Sequence, residues 1–121
     1  MDELLIALRA VAEPTRLRIF ALCAEGELTV SDLTRILGQS QPRVSRHLKL
    51  LTEARVLDRT PEGSWVFYRL GRDKGGRVDK LLDLLPLDDE TLVLDRNRLA
   101  DVKADRSQAA ADYFRENAIA W

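Results

Sequence analysis

Apolar residues recur at helical spacing along most of this chain and switch to strict alternation in one short stretch. Leu4, Leu5, Leu8, Val11 and Ala12 form one stripe, which predicts a first helix from about Asp2 to Val11. Asp2 and Glu3 suit the positive end of its dipole. The helix stops before Glu13-Pro14, because a residue preceding proline is pushed out of the helical region. Pro14 then opens a second helix, where its missing N–H is no loss. Leu17, Phe20, Ala21 and Ala24 line one side and Ile19, Leu22 and Cys23 another, so this helix is expected near the centre of the core. Glu25-Gly26 ends it. Thr29 followed by Asp32 predicts a capped third helix, with Leu33, Ile36 and Leu37 turned inward and Gly38 as its left-handed stop. Ser40 caps a fourth helix, with Pro42 in the first turn. Val44, Leu48 and Leu51 run along one side of it. Pro42, Ser45, Arg46, Lys49 and Glu53 point the opposite way, with Arg43 and His47 on the flank.

The alternating stretch follows. Val56 to Thr60 predicts one strand, Pro61-Glu62-Gly63-Ser64 a turn, and Trp65 to Leu70 the return strand. Trp65, Phe67 and Arg69 share one face; Val66, Tyr68 and Leu70 share the other. A fifth helix is expected from about Lys74 to Leu85, with Val78, Leu81, Leu82 and Leu85 in register and Pro86 closing it. Residues 87–121 are acidic, then alanine-rich. They predict a long helix from about Asp95 or Leu99 to the end, with Ala110, Phe114, Ala118 and Trp121 as a stripe. The fold class is mainly α with a small β-hairpin. A helix-turn-helix followed by a hairpin is a winged helix-turn-helix. Residues 1–86 form that module and residues 87–121 a helical C-terminal extension or connector.

With 121 residues, 45% of them hydrophobic and 32% charged, the chain suits one soluble globular domain. Its net charge of −1 is unevenly spread. Residues 39–60 carry five basic residues (Arg43, Arg46, Lys49, Arg55, Arg59) against Glu53 and Asp58. Residues 86–105 carry six acidic residues against Arg96, Arg98 and Lys103. A basic face on a helix that follows a glycine-bearing turn is how a chain presents one helix to the DNA major groove. Arg43 and Arg46 are candidates to read guanine, because a guanidinium matches its O6/N7 pair, and Gln41 to read adenine. Ser40, Ser45 and Lys49 are candidates for phosphate contacts. His47 on the flank suits packing or a phosphate. In the wing, Arg59, Ser64 and Arg69 are expected at phosphate or minor groove, although Glu62 at the tip repels phosphate. Trp65 and Phe67 read as hydrophobic cover for the hairpin.

Other chemistries find little support. A soft-metal site needs two or more thiolates, and zinc about four ligands. The chain has one cysteine, Cys23, and one histidine, His47, on different helices. No metal and no cofactor are expected, and Asp88, Asp89 and Glu90 read as solubilising charge. No Ser/His/Asp set stands in sensible context, and Gly71, Gly75 and Gly76 lack phosphate-loop spacing, so no catalytic residues and no enzyme are expected. No apolar run reaches the roughly 18 residues of a membrane span. Asp2 and Glu3 stand where a signal peptide would be basic. A cytoplasmic protein is expected.

With these elements in order, EPTRLRIFALC, ELTVSDLTRILGQSQPRVSRHLKLLTEARVLDRTPEGSWVFYRL and the leucine-rich helix after them resemble the ArsR family of bacterial winged helix-turn-helix repressors, over roughly residues 4–85. The resemblance implies a homodimer that binds a palindromic double-stranded operator and releases it to an inducer. It implies an interface on the first and fifth helices, here Leu4, Leu5, Leu8, Val78, Leu81, Leu82 and Leu85. Three departures stand out: Glu13 in place of the usual capping aspartate, Arg55 where a glycine is usual after the recognition helix, and the absent metal ligands. AADYFRENAIAW resembles the connector in proteins that fuse such a module to an S-adenosylmethionine-dependent methyltransferase. On that resemblance the chain is the DNA-binding part of a longer protein whose effector is S-adenosylmethionine or S-adenosylhomocysteine. A winged-helix interaction module without DNA binding is the other reading left open.

Overall fold

The structure, a computed structural model, describes residues 1–72 and 76–119. Its elements are α1 (Asp2–Val11), α2 (Pro14–Cys23), α3 (Val30–Leu37), α4 (Gln41–Glu53), β1 (Leu57–Glu62), β2 (Trp65–Leu70), α5 (Arg77–Asp83) and α6 (Glu90–Ile119). Lys74, the expected start of the fifth helix, lies outside the described residues, as do Gly75, Trp121 and the side chain of Ala118. The described part of the fifth helix ends at Asp83, two residues short of expectation.

Local chemistry accounts for most boundaries. Glu13 caps α2 after all: its carboxylate accepts the N–H of Arg16 at 2.8 Å, with Pro14 just inside the helix. Thr29 and Asp32 form a reciprocal capping box at the start of α3, with bonds of 2.9 and 3.2 Å. Gly38 ends α3 at φ 65°, ψ 29°. Ser40 stands at the N-cap of α4 but makes no side-chain capping bond there. The hairpin is tighter than expected. Glu62 pairs with Trp65, so only Gly63 and Ser64 turn, and Gly63 supplies the positive φ of 61°. In such a hairpin the closing pair is hydrogen-bonded, so Pro61, one step back in β1, faces outward with its missing N–H.

The core is built where α2, α3 and α4 meet. Ile19, Phe20 and Leu22 pack with Leu33, Ile36, Val44, Leu48 and Leu51, all sealed from solvent. Each such side chain contributes roughly 1.5–3 kcal/mol by leaving water. Tyr68 carries the hairpin onto this core through its inward face, and both its main-chain groups bond to Leu28, at 2.8 and 3.0 Å. Val66 and Leu70 share that face.

One interface expectation needs correction, and the apolar residues of α1 divide between two faces. The residues of α1 that reach the core are Ala7, Ala10 and Val11. Small side chains let α1 lie close to α2 and α4, while Leu4, Leu5, Leu8 and also Ile6 are left exposed. Val78, expected at a dimer interface, is instead sunk in its own subunit, at 5% exposure. Leu81 and Leu82 are half-buried against the same core, and Leu84 is 76% exposed.

The final helix starts earlier than its composition predicts. Asp89 accepts the N–H groups of Thr91 and Leu92, at 3.0 and 3.2 Å, so the acidic cluster is partly a helix cap. Leu92, Asp95, Leu99 and Val102, spaced by three and four, are buried against the rest of the chain, where α6 meets α2 and α3. Asp95, only 1% exposed, receives two bonds from the Arg18 guanidinium, of 2.8 and 2.9 Å. That bidentate bond raises the Arg18 pKa despite its burial. Beyond Arg106, α6 is almost wholly exposed and carries Tyr113 and Phe114 edge to face, their centroids 5.8 Å apart.

Candidate nucleic-acid interface

The helix that the sequence marks as reading DNA, α4, is held chiefly by its apolar face. Val44, Leu48 and Leu51 are at most 1% exposed. Gln41, Arg43, Arg46 and Lys49 are exposed on the rest of its surface, and Ser45 is half-buried. Ser40 is exposed just ahead of the first turn. The turn into α4 is tied down as well: Gln39 donates to the hydroxyl of Thr15 on α2 at 3.1 Å. The result is a rigid helix with an outward row of guanidinium, ammonium and amide groups. That is the chemistry that duplex edges and phosphates recognise.

His47 does not belong wholly to that row. It is half-buried, with Nδ1 3.3 Å from an Arg16 Nη1 and 3.8 Å from the Glu13 carboxylate. Burial, and then the charges of Arg16, Arg43 and Arg46, depress its pKa against the pull of Glu13. A neutral ring accepting at Nδ1 fits both facts. Arg16 also donates to the carbonyl oxygens of Ala10 (2.6 Å) and Arg9 (3.5 Å), so one guanidinium links the end of α1, the start of α2 and the flank of α4. His47 is thus a strut that orients α4, with only Nε2 left for a contact outside the chain. Burial works to raise the Glu13 pKa, but the N–H groups of Arg16 and Thr15 and the nearby charges outweigh it and lower it. Nothing in the spacing of Glu13, Arg16 and His47 announced this network.

The wing offers less than expected. Arg59, midway along β1, and Ser64, at the tip, are exposed. Arg69 is not free: it bonds to Glu27 at 3.4 Å, and its Nε is buried without a partner among the described residues. Trp65 is 62% exposed and covers little. At the root of the wing, Arg55 adopts the left-handed conformation at φ 62°, which is where a glycine would be at ease. The strain is held by close backbone packing. Gly71 donates to the carbonyl oxygen of Val56 at 2.9 Å, and a Cβ on Gly71 would fall 2.1 Å from the Arg55 carbonyl oxygen.

Cys23 is buried in α2, and desolvation pushes its thiol up to about 12, so it carries no thiolate near neutrality. Among the described residues no three His, Cys, Asp or Glu side chains cluster as a metal site, and no helix is long and apolar enough to cross a membrane.

Comparison with known proteins agrees with this geometry. The family model described as bacterial regulatory protein, arsR family, matches residues 13–59, from the α2 cap through α4 into β1. The chain is 41% identical over 99 residues to the arsenic resistance transcriptional regulator ArsR1 of Pseudomonas putida, spanning 80% of this chain and 77% of that one. It is 45% identical over 76 residues to the arsenical resistance operon repressor of Escherichia coli, spanning 62% and 65% of the two chains. Among solved structures, the homodimeric winged helix-turn-helix DNA-binding domain of Mb0332 from Mycobacterium bovis superposes with a TM-score of 0.60 at 28% identity, over 69% of this chain and 74% of that one.

Proposed function

The chain belongs to the ArsR family of bacterial transcription regulators, and from that premise we propose that it is a DNA-binding repressor acting in the cytoplasm as a homodimer on an inverted-repeat operator. One observation carries this reading: Val44, Leu48 and Leu51 of α4 are sunk in the core while Gln41, Arg43, Arg46 and Lys49 stand outside. Arg43, Arg46 and Gln41 read base edges; Ser40, Ser45, Lys49, Arg59 and Ser64 hold phosphates. Leu4, Leu5, Leu8, Leu81, Leu82 and Leu85 meet their copies across the two-fold axis, which sets the two α4 helices about 34 Å apart. DNA reading and dimerisation belong to residues 1–86, with residues 87–121 as their helical extension.

The inducer in this proposal is not a thiophilic metal. The arsenic-resistance relatives are named for that element, but here Cys23 is the single cysteine and is held protonated in the core. Selection of duplexes from a random pool, followed by fluorescence anisotropy, tests the whole reading. Arg46→Ala is expected to lose about 1–3 kcal/mol on the selected site, and Lys49→Ala to reduce the salt slope by about one. An Arg46→Ala protein that binds the selected site like the parent chain removes the base-reading assignment. Release of that site by arsenite or zinc removes the proposal of a non-metal inducer.

A further inference from the structure

The reading unit does not end with the family-matched segment. Arg106 continues the buried row of Leu92, Asp95, Leu99 and Val102 by one more step of four, and it pairs with Asp32 of the α3 capping box. Eight residues earlier, Arg98 donates to the carbonyl oxygen of Ile36 in the last turn of α3, at 3.3 Å. Between them, Asp105 pairs with Arg35 on the exposed side of α3. Lys103 donates to the carbonyl oxygen of Glu25, where the chain leaves α2, at 3.2 Å. α6 therefore grips α3 at its first turn and its last. Since α3 also packs on α4, its pose sets where α4 can lie. Fixing both ends of a short helix removes the tilt that a single contact would leave.

We infer that Arg98 and Arg106 are positioning residues for operator reading, acting from α6 through α3 upon α4. The inference rests on the proposed DNA-binding function. Neither guanidinium touches DNA in this scheme. Their contribution is to alignment: base contacts need α4 set to within a fraction of an ångström, whereas phosphate contacts through long side chains tolerate a tilt. Loss of the grip should therefore lower specific binding and spare nonspecific binding. A purely stabilising role would lower both together, because it changes only the fraction of folded protein.

The test uses the full chain with Arg106→Met, Arg98→Met, the double variant and Arg106→Lys. Affinities are measured by anisotropy on the selected operator and on a scrambled duplex, beside thermal melting curves. The ratio of specific to nonspecific affinity should fall about fivefold or more in the double variant, and Arg106→Lys should recover most of the Arg106→Met loss. A ratio equal to that of the parent chain, with both affinities unchanged or both reduced by one factor, overturns the inference. If the parent chain itself tells no duplex from another, the DNA-binding proposal has failed instead. Both methionine variants keep the buried row from Leu92 to Val102, and the melting curves verify that they fold.

Discussion

At the scale of single residues, the most consequential side chain of α4 is the one turned away from its exposed row. His47 shares Arg16 with the carbonyls of α1 and lies beside the α2 cap Glu13. Because its pKa is held below 6.5, the folded chain binds fewer protons there than the unfolded chain does. The stability tied to the neutral ring is complete above 6.5 and is lost as pH falls through the depressed folded value. Glu13 acts with the same sign further down the scale: its contribution is complete above 4.5 and lost as pH falls through its own lowered value. Urea-unfolding midpoints followed from about pH 8 to pH 5 should therefore decline, and His47→Gln should flatten the upper part of that decline. A variant with the full acid dependence of the parent chain would assign it to other groups.

At the scale of elements, the root of the wing stores strain. Arg55 is the one described residue other than glycine at positive φ, and the backbone of Gly71 leaves no room for it to relax. Arg55→Gly should therefore raise stability by about 1 kcal/mol, and Gly71→Ala should lower it by about 1–3 kcal/mol or more through the clash with the Arg55 carbonyl. Chemical denaturation reads both, and an Arg55→Gly protein less stable than the parent would argue that the left-handed backbone is unstrained. Local signals announced most elements: Pro14, the Thr29/Asp32 box, Gly38 and the alternation from Trp65 to Leu70 need no tertiary partner to be legible. The missed features depend on distant residues. Asp95 looks like one more surface charge until Arg18, far away in sequence, is placed against it. That misreading moved the predicted start of α6 past its real cap at Asp89. For the same reason Ala7 and Ala10 went unnoticed as core residues of α1, since only the closeness of α2 and α4 makes small residues fit. Of the candidate site, the outward set on α4 was legible from helical spacing. The engagement of His47 and Arg69 by Arg16 and Glu27 was not.

At the scale of the whole molecule, one group of exposed apolar side chains lies on α1 and around the end of α5. Leu4, Leu5, Leu8 and Leu84 are all open to solvent, which is unusual for a group of large apolar side chains on a stable monomer. Paired across a two-fold axis they would bury this surface, and the proposed operator symmetry would follow from it. Leu5→Glu with Leu8→Glu should shift the protein to monomers in sedimentation velocity and weaken binding to the full inverted repeat far more than to a half-site. A double variant that sediments like the parent would move the interface elsewhere. The charge asymmetry falls into place at this scale too. The basic stretch lies on the duplex-facing side of the proposed complex, and much of the acidic stretch is spent within the fold, as a cap at Asp89 and as partners for Arg18 and Arg35.

The proline in the outer strand of the hairpin has a consequence for crowding. Bare strand edges are where neighbouring proteins zip together into aggregates. With no amide hydrogen to offer at Pro61 and a carboxylate beside it at Glu62, that rim is a poor template for another chain's strand near the turn.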